Sequence, residues 1–367
     1  MKILYYYSKL NIGGAERSTV RLLNKMVEME HDITLLLRWN NGTLENELDS
    51  RVNVMYLKKG DSDNTGLFLQ FIEICKMRIR LRLIKKNKYD LVINGLFGYD
   101  PSILFKYVNA KKYFQMLRND VSKTGMYGKT VAYMKKYGSK FDAYIGVSKF
   151  TTDSFKKCYP QLKDKAFTVY NILPEVDPKE ESVCPEELSK NEKYIKILTV
   201  CRMDDKAKGL FRMEKVCKQL QTSYPSKFKW FVVGEGPDKE KLQKQIEKDG
   251  LSQCMILCPG TRNPFPYYAH SDLVAVLSYY EGLCGVVNEA KMMCRPLIAT
   301  EFSGIHEQIK NGINGMIVDN NENAILEGLH KILNNPSCLK NMAVNGMPKK
   351  LLDNDEKINE LCQIYNI

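Results

Sequence analysis

Two carboxylates bracket a glycine-bearing turn in the stretch from residue 278 to residue 290, which reads SYYEGLCGVVNEA. The apolar run before it, residues 273–277, predicts a buried strand, and residues 286–293 predict a short helix. The free N–H groups at a helix start bind anions, and the helix dipole favours negative charge there. The carboxylates, Glu281 and Glu289, accept hydrogen bonds from hydroxyl groups. The stretch therefore predicts a site for a ligand with both phosphate and hydroxyls, such as a sugar nucleotide.

Two cations, Arg202 and Lys208, follow another apolar run that ends at Val200. A nucleoside diphosphate that leaves a sugar carries about two negative charges, which two cations and a helix N-terminus can neutralise without a metal ion. Taken together with the other motifs described below, the pattern predicts electrophilic assistance to the departure of a diphosphate. The alternative is that Arg202 pairs on the surface with Asp204 or Asp205.

Glycines follow two further apolar runs. Residues 234–236 read Gly-Glu-Gly after the run at 228–233. A dinucleotide fingerprint would need a third glycine where Lys239 stands, so the pattern disfavours an NAD-dependent oxidoreductase. Near the N-terminus, the Gly-Gly pair at residues 13 and 14 allows a ligand to approach the backbone closely, although a plain tight turn would use the same residues.

Apolar runs alternate with helix-like stretches in two series, which is typical of parallel, doubly wound sheets. Proline and acidic residues between the series predict an interdomain linker. We predict an N-terminal domain at 1–175, a linker at 176–193, a C-terminal domain at 194–350 and a terminal helix at 351–367. Ligands of such sheets bind outside the carboxyl ends of the strands. The predicted strands are residues 2–7, 33–37, 52–57, 91–94, 113–117, 143–147 and 166–170, then 195–200, 228–233, 255–257, 273–277 and 296–300.

Five motifs, in order over nearly the whole chain, resemble those of retaining glycosyltransferases with the GT-B fold, family 4 in particular. They are NIGGAE at 11–16, VCR at 200–202 with KG at 208–209, VVGEGP at 232–237, the E-x7-E of 281–289, and GIHE at 304–307 with NGING at 311–315. The resemblance implies an α/β fold of two Rossmann-like, doubly wound parallel-sheet domains that face each other across a cleft. It also implies a glycosyltransferase of the hexosyltransferase type, whose first domain binds the acceptor, whose second binds the nucleotide sugar, and whose terminal helix returns to the first domain.

The resemblance assigns roles to the matching residues. Arg202 and Lys208 would bind the diphosphate, Glu289 the ribose hydroxyls and Glu281 the hydroxyls of the donor sugar, as a positioning residue rather than a nucleophile. The backbone at 283–285 would meet sugar and phosphate, and the loop at Thr261–Pro264 would contact the base. The predicted catalytic residues are Glu281, Arg202, Lys208 and Arg118. The predicted donor-binding residues are Gly13, Gly14, Gly234, Glu235, Gly236, Thr261, Asn263, Ser278, Gly282, Leu283, Cys284, Gly285, Val286 and Glu289.

Arg118 departs from the family pattern, because relatives often carry a histidine at the position to which it aligns. The family histidine contacts the donor sugar near the reaction centre. Arginine is always cationic and cannot act as a base, but it can bind a phosphate or a sugar carboxylate. Another short motif, Asp61-Ser62-Asp63, matches the D-x-D metal site of the other glycosyltransferase fold, but its polar surroundings favour a loop.

The formal net charge of +12 predicts an anionic partner, and the distribution of charge helps to identify it. Residues 76–88 hold seven cations and no acid, and residues 123–140 interleave lysines with tyrosines. Such patterns suit the surface of an anionic membrane, while the alternative is a solvated basic face. The sequence carries no signature of a nucleic-acid-binding module.

Eleven cysteines without a CxxC pair predict free thiols in a reducing cytosol. No apolar run reaches 18 residues, and residues 1–8 predict a first strand rather than a signal peptide. We therefore expect a cytoplasmic protein, peripheral at the inner face of the plasma membrane, that needs no metal and no cofactor.

These patterns together predict a retaining glycosyltransferase of bacterial surface-polysaccharide synthesis, of the capsular or exopolysaccharide type. It would move a sugar from a UDP-sugar donor to a lipid-linked saccharide acceptor. One alternative is an NAD-dependent oxidoreductase. The other is a non-catalytic two-domain protein that binds a nucleotide or a sugar, which nucleotide binding without sugar transfer would favour.

Overall fold

The computed structural model describes residues 1–11, 13–58, 67–124, 128–174, 176, 183–189, 194–344 and 349–366. Two features predicted from the sequence lie outside these ranges. One is the D-x-D motif at Asp61–Asp63, and the other is most of the predicted linker.

The chain divides into two compact units. Unit 1 comprises Met1–Leu173 and Asp353–Ile367, and unit 2 comprises Pro174–Leu352. The C-terminal helix belongs to unit 1, where the side-chain amide of Asn354 exchanges hydrogen bonds of 2.9 and 3.1 Å with the backbone of Leu173. A salt bridge of 2.8 Å between Lys25 and Asp355 adds a second contact between this helix and unit 1.

Unit 1 contains a seven-stranded parallel sheet in the order β3-β2-β1-β4-β5-β6-β7. The direction of winding reverses between β1 and β4, as in doubly wound folds. The strands are β1 Lys2–Tyr7, β2 Asp32–Trp39, β3 Asn53–Lys58, β4 Lys88–Asn94, β5 Asn109–Leu117, β6 Ala143–Gly146 and β7 Ala166–Thr168. The helices are α1 Gly14–Glu28, α2 Leu67–Lys86, α3 Ser102–Tyr107, α4 Val121–Thr124, α5 Lys129–Tyr137 and α6 Lys149–Cys158.

Unit 2 contains a six-stranded parallel sheet in the order β10-β9-β8-β11-β12-β13, which reverses between β8 and β11. Its last strand, β13, was not among the strands predicted from the sequence. The strands are β8 Ile195–Val200, β9 Phe228–Val233, β10 Met255–Cys258, β11 Leu273–Val276, β12 Leu297–Thr300 and β13 Met316–Val318. The helices are α7 Asp205–Lys208, α8 Leu210–Ser223, α9 Lys239–Lys248, α10 Phe265–Ala269, α11 Gly285–Met292, α12 Ile305–Gln308, α13 Glu322–Asn334, α14 Cys338–Val344, α15 Lys349–Leu352 and α16 Asn354–Asn366, the last of which is the C-terminal helix in unit 1.

Both faces of the unit 2 sheet are buried. Along β8 and β9, Ile197 and Trp230 belong to the hydrophobic cluster on one face, while Leu198 and Phe231 belong to the cluster on the other. Successive side chains of a strand point to opposite faces, so a strand covered on both sides must be apolar throughout. The continuous apolar runs in the sequence have this cause, and the prediction of parallel, doubly wound sheets is confirmed.

A buried carboxyl group on α8 makes the stability of unit 2 depend on pH. Glu214 is 3% exposed, and burial, together with the nearby Asp249 carboxylate, raises its pKa to about 7. A raised pKa means that the folded state holds this proton more tightly than the unfolded state does. The contribution of Glu214 to stability is therefore complete below the ordinary glutamate pKa of 4.5 and is lost as pH rises through about 7.

We expect the melting temperature to fall by about 4–8 °C between pH 5 and pH 8, which corresponds to about 2 kcal/mol. Glu214→Gln should abolish most of this fall, because an amide does not titrate. Thermal unfolding in a series of buffers measures the effect, with the exposed Glu240→Gln on α9 as the control. An unchanged pH slope in Glu214→Gln would contradict the assignment.

Candidate functional site

A pocket lies at the carboxyl ends of β8 and β11, where the strand order of the unit 2 sheet reverses. Open α/β sheets bind ligands at such a switch point. One wall consists of residues 199–201 and Lys208, and the other of residues 275–278 with Glu281, Cys284 and Val286. The structure thus brings together the cation-bearing segment and the glycine turn that the sequence analysis selected separately.

Lys208 and Glu281 form an ion pair in this pocket. The Ser278 hydroxyl donates to the same carboxylate oxygen over 2.8 Å, which fixes the orientation of Glu281. The two charged side chains are 22% and 16% exposed. Burial alone would lower the pKa of Lys208, but the Glu281 carboxylate outweighs burial and raises it, so Lys208 is a permanent cation. From the sequence, the two residues are predicted to bind different groups of the ligand, and their pairing is visible only in the structure.

Gly209 allows the chain to turn directly after Lys208. Its φ of +65° lies in the left-handed region, and a Cβ there would lie 2.9 Å from the carbonyl oxygen of Leu277. The Tyr279 N–H donates to the Ala207 carbonyl over 2.8 Å. These contacts hold the Lys208 segment against the turn that bears Glu281.

The Arg202 side chain is exposed, two residues after the end of β8. The alternative considered for it was a surface ion pair with Asp204 or Asp205. Across the described part of the chain, the structure records no ion pair of Arg202 with any carboxylate. The Asp205 carboxylate instead accepts the N–H of Phe211 over 2.9 Å. A guanidinium beside the pocket is thus available to an anion.

The glycines of the Gly-Glu-Gly segment let two loops pack closely. A Cβ on Gly234 would lie 1.9 Å from the carbonyl oxygen of Cys201, and one on Gly236 would lie 2.3 Å from that of Met203. The Met203 N–H donates to the Glu235 carbonyl over 2.9 Å. These glycines therefore position the loop that carries Arg202, which is a structural reason for them beside the donor contact predicted from the sequence.

The loop that follows β10 is fixed by its own polar side chains and by Glu235, which follows β9. The Glu235 carboxylate pairs with Lys239 at 2.7 Å and accepts the N–H of Gly260 over 3.1 Å, and the lysine lowers the pKa of this carboxyl. The Thr261 hydroxyl accepts the N–H of Asn263 over 3.2 Å, and the Asn263 side chain accepts that of Phe265 over 3.1 Å. The predicted base-contacting loop thus has a defined shape at the start of α10.

Helix α11 begins at Gly285, which is exposed, and no side chain caps its N-terminus. The N–H of Cys284, predicted to meet the ligand, instead donates to Gln308 Oε1 over 3.1 Å. The Gln308 amide also donates to the Cys284 carbonyl over 2.8 Å and to Asn288 Oδ1 over 2.6 Å. Gln308 thus clamps the peptide before α11, and a ligand at this helix end would meet the N–H groups that follow Cys284.

Glu289 lies one turn into α11 and is 9% exposed. It does not line the pocket with Lys208 and Glu281. The Tyr268 hydroxyl donates to Glu289 Oε2 over 3.1 Å. The neighbouring Lys291 is also buried, and its ammonium donates to the Gln308 carbonyl over 2.7 Å while burial lowers its pKa to about 8. Sequence patterns did not identify Lys291 or Gln308, because a lone polar residue carries no periodic signal.

The predicted donor-binding residues Gly282 and Leu283 are buried in the turn before α11 in unit 2. Three other predicted residues, Arg118, Gly13 and Gly14, belong to unit 1. The Arg118 guanidinium, just after β5, donates to the hydroxyls of Tyr5 and Thr19 over 2.9 Å each. Its Nε is buried and has no hydrogen-bond partner within the ranges that the structure describes. Gly13 caps α1 in an extended conformation, and a Cβ there would lie 2.3 Å from a carboxylate oxygen of Glu16. Space beside Gly13 is thus taken by Glu16, whereas Gly14 has no atom within 4 Å of its Cβ position.

Two kinds of feature are absent from the described residues. No three His, Cys, Asp or Glu side chains there are close enough together to hold a metal ion. No helix there combines the length and the apolar character needed to cross a membrane.

Residues 183–347 match the sequence model of a protein family described as glycosyl transferases group 1. A protein of Campylobacter jejuni, named N-acetylgalactosamine-N,N'-diacetylbacillosaminyl-diphospho-undecaprenol 4-alpha-N-acetylgalactosaminyltransferase, is 22% identical over 353 residues, which are 92% of this chain and 91% of the relative. An uncharacterized glycosyltransferase of Methanocaldococcus jannaschii is 26% identical over 77% of this chain and 71% of the relative.

Among solved structures, Anabaena HepE in complex with UDP and glucose superposes with a TM-score of 0.77 at 16% identity, over 100% of this chain and 99% of HepE. A glycosyltransferase of Rickettsia africae superposes with a TM-score of 0.74 at 20% identity, over 100% and 97% of the two chains. The predicted GT-B fold of two Rossmann-like domains is confirmed. The family match and the relatives also confirm the prediction of a transferase enzyme.

Proposed function

We propose that this protein is a retaining, family 4 glycosyltransferase that moves a sugar from a UDP-sugar to a lipid-linked saccharide in bacterial surface-polysaccharide synthesis. The observation that carries the proposal is the pocket at the switch point of the unit 2 sheet. There Lys208 and Glu281 lie together, beside the exposed Arg202 and the uncapped start of α11. These groups match the phosphates and hydroxyls of one nucleotide sugar.

In the proposed reaction, an acceptor hydroxyl oxygen bonds to C1 of the donor sugar as the bond from C1 to the diphosphate oxygen breaks. Lys208, Arg202 and the start of α11 stabilise the negative charge that develops on the departing diphosphate. The acceptor proton passes to a phosphate oxygen on the same face of the sugar, which retains the configuration at C1. These cations supply the charge that a metal ion would otherwise provide, so we propose a metal-independent reaction.

Glu281 acts on the hydroxyls of the donor sugar. In the free protein its carboxylate pairs with Lys208 and accepts from Ser278. A diphosphate that takes over Lys208 would release carboxylate oxygens to accept hydrogen bonds from the sugar. Glu289, one turn into α11, is the candidate for binding the ribose hydroxyls.

The similarity to HepE, which was solved with UDP, favours uridine as the base. The Campylobacter relative, whose name specifies a diphospho-undecaprenol acceptor, favours a lipid-linked saccharide here. The Arg118 guanidinium would bind a phosphate or carboxylate group, since it is cationic where relatives often carry histidine.

Transfer is tested directly by incubating the protein with UDP-glucose, UDP-GlcNAc or UDP-GalNAc and a synthetic polyprenyl-diphospho-N-acetylhexosamine. Mass spectrometry should detect one added sugar with at least one donor. In the NMR spectrum of the product, the proton coupling constant at C1 of the added sugar should show the same α configuration as in the donor. EDTA should leave the rate unchanged. A β-linked product would contradict retention, and NAD-dependent oxidation would support the oxidoreductase.

The exposed face of α2 is the candidate surface for the membrane. Arg78 and Arg82 form one row at i,i+4 spacing on this helix, and Ile79 and Leu83, which are 58% and 51% exposed, form the row beside it. Exposed cations next to exposed apolar side chains suit the headgroup region of an anionic membrane. A groove between α2 and α3, lined by residues 77, 78, 81, 102, 103, 106 and 107, adjoins this face.

We expect the double variant Arg78→Glu/Arg82→Glu to lose at least about 10-fold in affinity for anionic vesicles, because each basic residue contributes about 1 kcal/mol at such a surface. Co-sedimentation with phosphatidylglycerol vesicles measures the affinity. Lys244→Glu/Lys248→Glu on the exposed face of α9 changes the net charge equally and should retain binding. An equal loss of vesicle affinity in both double variants would indicate a general charge effect. Absence of vesicle binding by the parent protein would contradict the proposal.

A further inference from the structure

Arg212 is a buried cation in unit 2 that does not line the pocket. It lies on α8 and is 2% exposed. Its guanidinium donates to the carbonyl oxygen of Leu277 and, over 2.6 Å, to Oδ1 of Asn320. No carboxylate of the described residues forms an ion pair with it. Burial of a cation among neutral oxygens costs free energy, which the hydrogen bonds of the guanidinium must offset. These hydrogen bonds connect α8 to the turn after β11.

Asn320, which follows β13, also holds the turn after β11. Its side-chain amide donates to the carbonyl oxygens of Ser278 over 3.3 Å, Tyr279 over 3.0 Å and Glu301 over 2.9 Å. The Thr300 hydroxyl also donates to the Ser278 carbonyl, over 2.7 Å. The backbone that leads to Glu281 is thus fixed by side chains from three neighbouring segments.

The same guanidinium supports the Lys208 segment. A Cβ on Gly209 would lie 2.7 Å from Nε of Arg212, so the glycine after Lys208 packs directly on it. The Arg212 guanidinium also lies 4.0 Å from the centre of the Tyr279 ring. One buried group therefore contacts both the segment that carries Lys208 and the turn that carries Glu281.

We infer that Arg212 and Asn320 are positioning residues for sugar transfer, which hold Lys208 and Glu281 at the separation that one nucleotide sugar requires. The inference rests on the proposed function. Neither residue lines the pocket, so we assign both an indirect role. Their effect arises because a displacement of about 1 Å at reacting groups can cost about 100-fold in rate.

Asn320→Ala tests the inference, and Asn321→Ala is its matched control. The Asn321 side chain accepts the N–H of Ala324 over 2.9 Å and caps α13, so its removal weakens the fold without touching the turn. We expect Asn320→Ala to lower kcat by about 10- to 100-fold, with a change of less than about 3-fold in UDP affinity. Asn321→Ala should keep kcat within about 2-fold of the parent even if its melting temperature falls as far. Equal kcat values in the two variants would overturn the inference.

Hydrogen exchange supplies a readout that does not depend on activity. Amides of residues 278–281 should exchange at least about 10-fold faster in Asn320→Ala and at the parent rate in Asn321→Ala. Arg212→Lys, which retains the charge but not the forked geometry, should show the same acceleration. If the parent protein transfers no sugar, the proposed function fails. Unchanged exchange in Asn320→Ala and Arg212→Lys would refute the role of Arg212 and Asn320 in holding the turn.

Discussion

We expect Lys208→Ala to lower kcat for sugar transfer by about 100-fold or more and to weaken UDP binding. Lys208 supplies a permanent positive charge in a partly buried pocket, where a cation aimed at developing negative charge has its largest effect. Removal also leaves Glu281 without its ion-pair partner. The Glu281 carboxylate would then repel a diphosphate that enters the pocket. Steady-state kinetics and calorimetric titration with UDP measure the two losses.

Lys206→Ala is the matched control for this variant, because Lys206 lies on the same short helix but is exposed and outside the pocket. It should keep kcat within about 2-fold of the parent. Circular dichroism and the melting temperature would show that both variants are folded. Parent-like transfer by a folded Lys208→Ala would remove Lys208 from the site.

Glu281→Gln distinguishes the proposed binding of sugar hydroxyls by Glu281 from the binding of phosphate by Lys208. We expect kcat to fall by about 10- to 100-fold, because an amide is a poorer acceptor for sugar hydroxyls than a carboxylate. UDP should bind as tightly as to the parent or more tightly, because no carboxylate then competes with phosphate for Lys208. The variant should thus lower transfer without lowering UDP affinity, unlike Lys208→Ala, which should lower both.

The same two measurements apply to Glu281→Gln, with Glu301→Gln as the control. Glu301 is an exposed carboxylate that pairs with His306 at 2.9 Å, at the end of the neighbouring strand β12. That variant should leave both kcat and UDP affinity within about 2-fold of the parent. A loss of UDP affinity in Glu281→Gln would mean that Glu281 contributes to nucleotide binding rather than competing for Lys208.

The strand positions could be predicted from the sequence because a parallel strand buried on both faces is apolar over most of its length, as in the runs at 230–233 and 273–277. The order of the strands is a different matter. Alternation alone does not specify that β11 lies beside β8, and this placement creates the pocket. The short strand β13 was missed because three residues are too few to show a pattern.

The site was predicted in part, for a related reason. Glu281 and Lys208 stand out by charge and by the glycines beside them, but their ion pair joins residues 73 positions apart. Arg212, Gln308 and Asn320 are ordinary polar residues in the sequence. Only the tertiary structure shows that their side chains bind backbone groups between residues 277 and 284. The conformation of Gly209 and the close contacts of Gly234 likewise follow from packing that no local pattern encodes.

The most direct test of the central claim is the binding of UDP to the pocket at the ends of β8 and β11. A thermal-shift titration with UDP, GDP, ADP and NAD, with and without EDTA, measures it, since a ligand that binds only the folded state raises the melting temperature. We predict a shift with UDP that EDTA does not change and that is lost in Lys208→Ala but not in Lys206→Ala. A shift with NAD alone, or an equal UDP shift in Lys208→Ala, would contradict the proposed site.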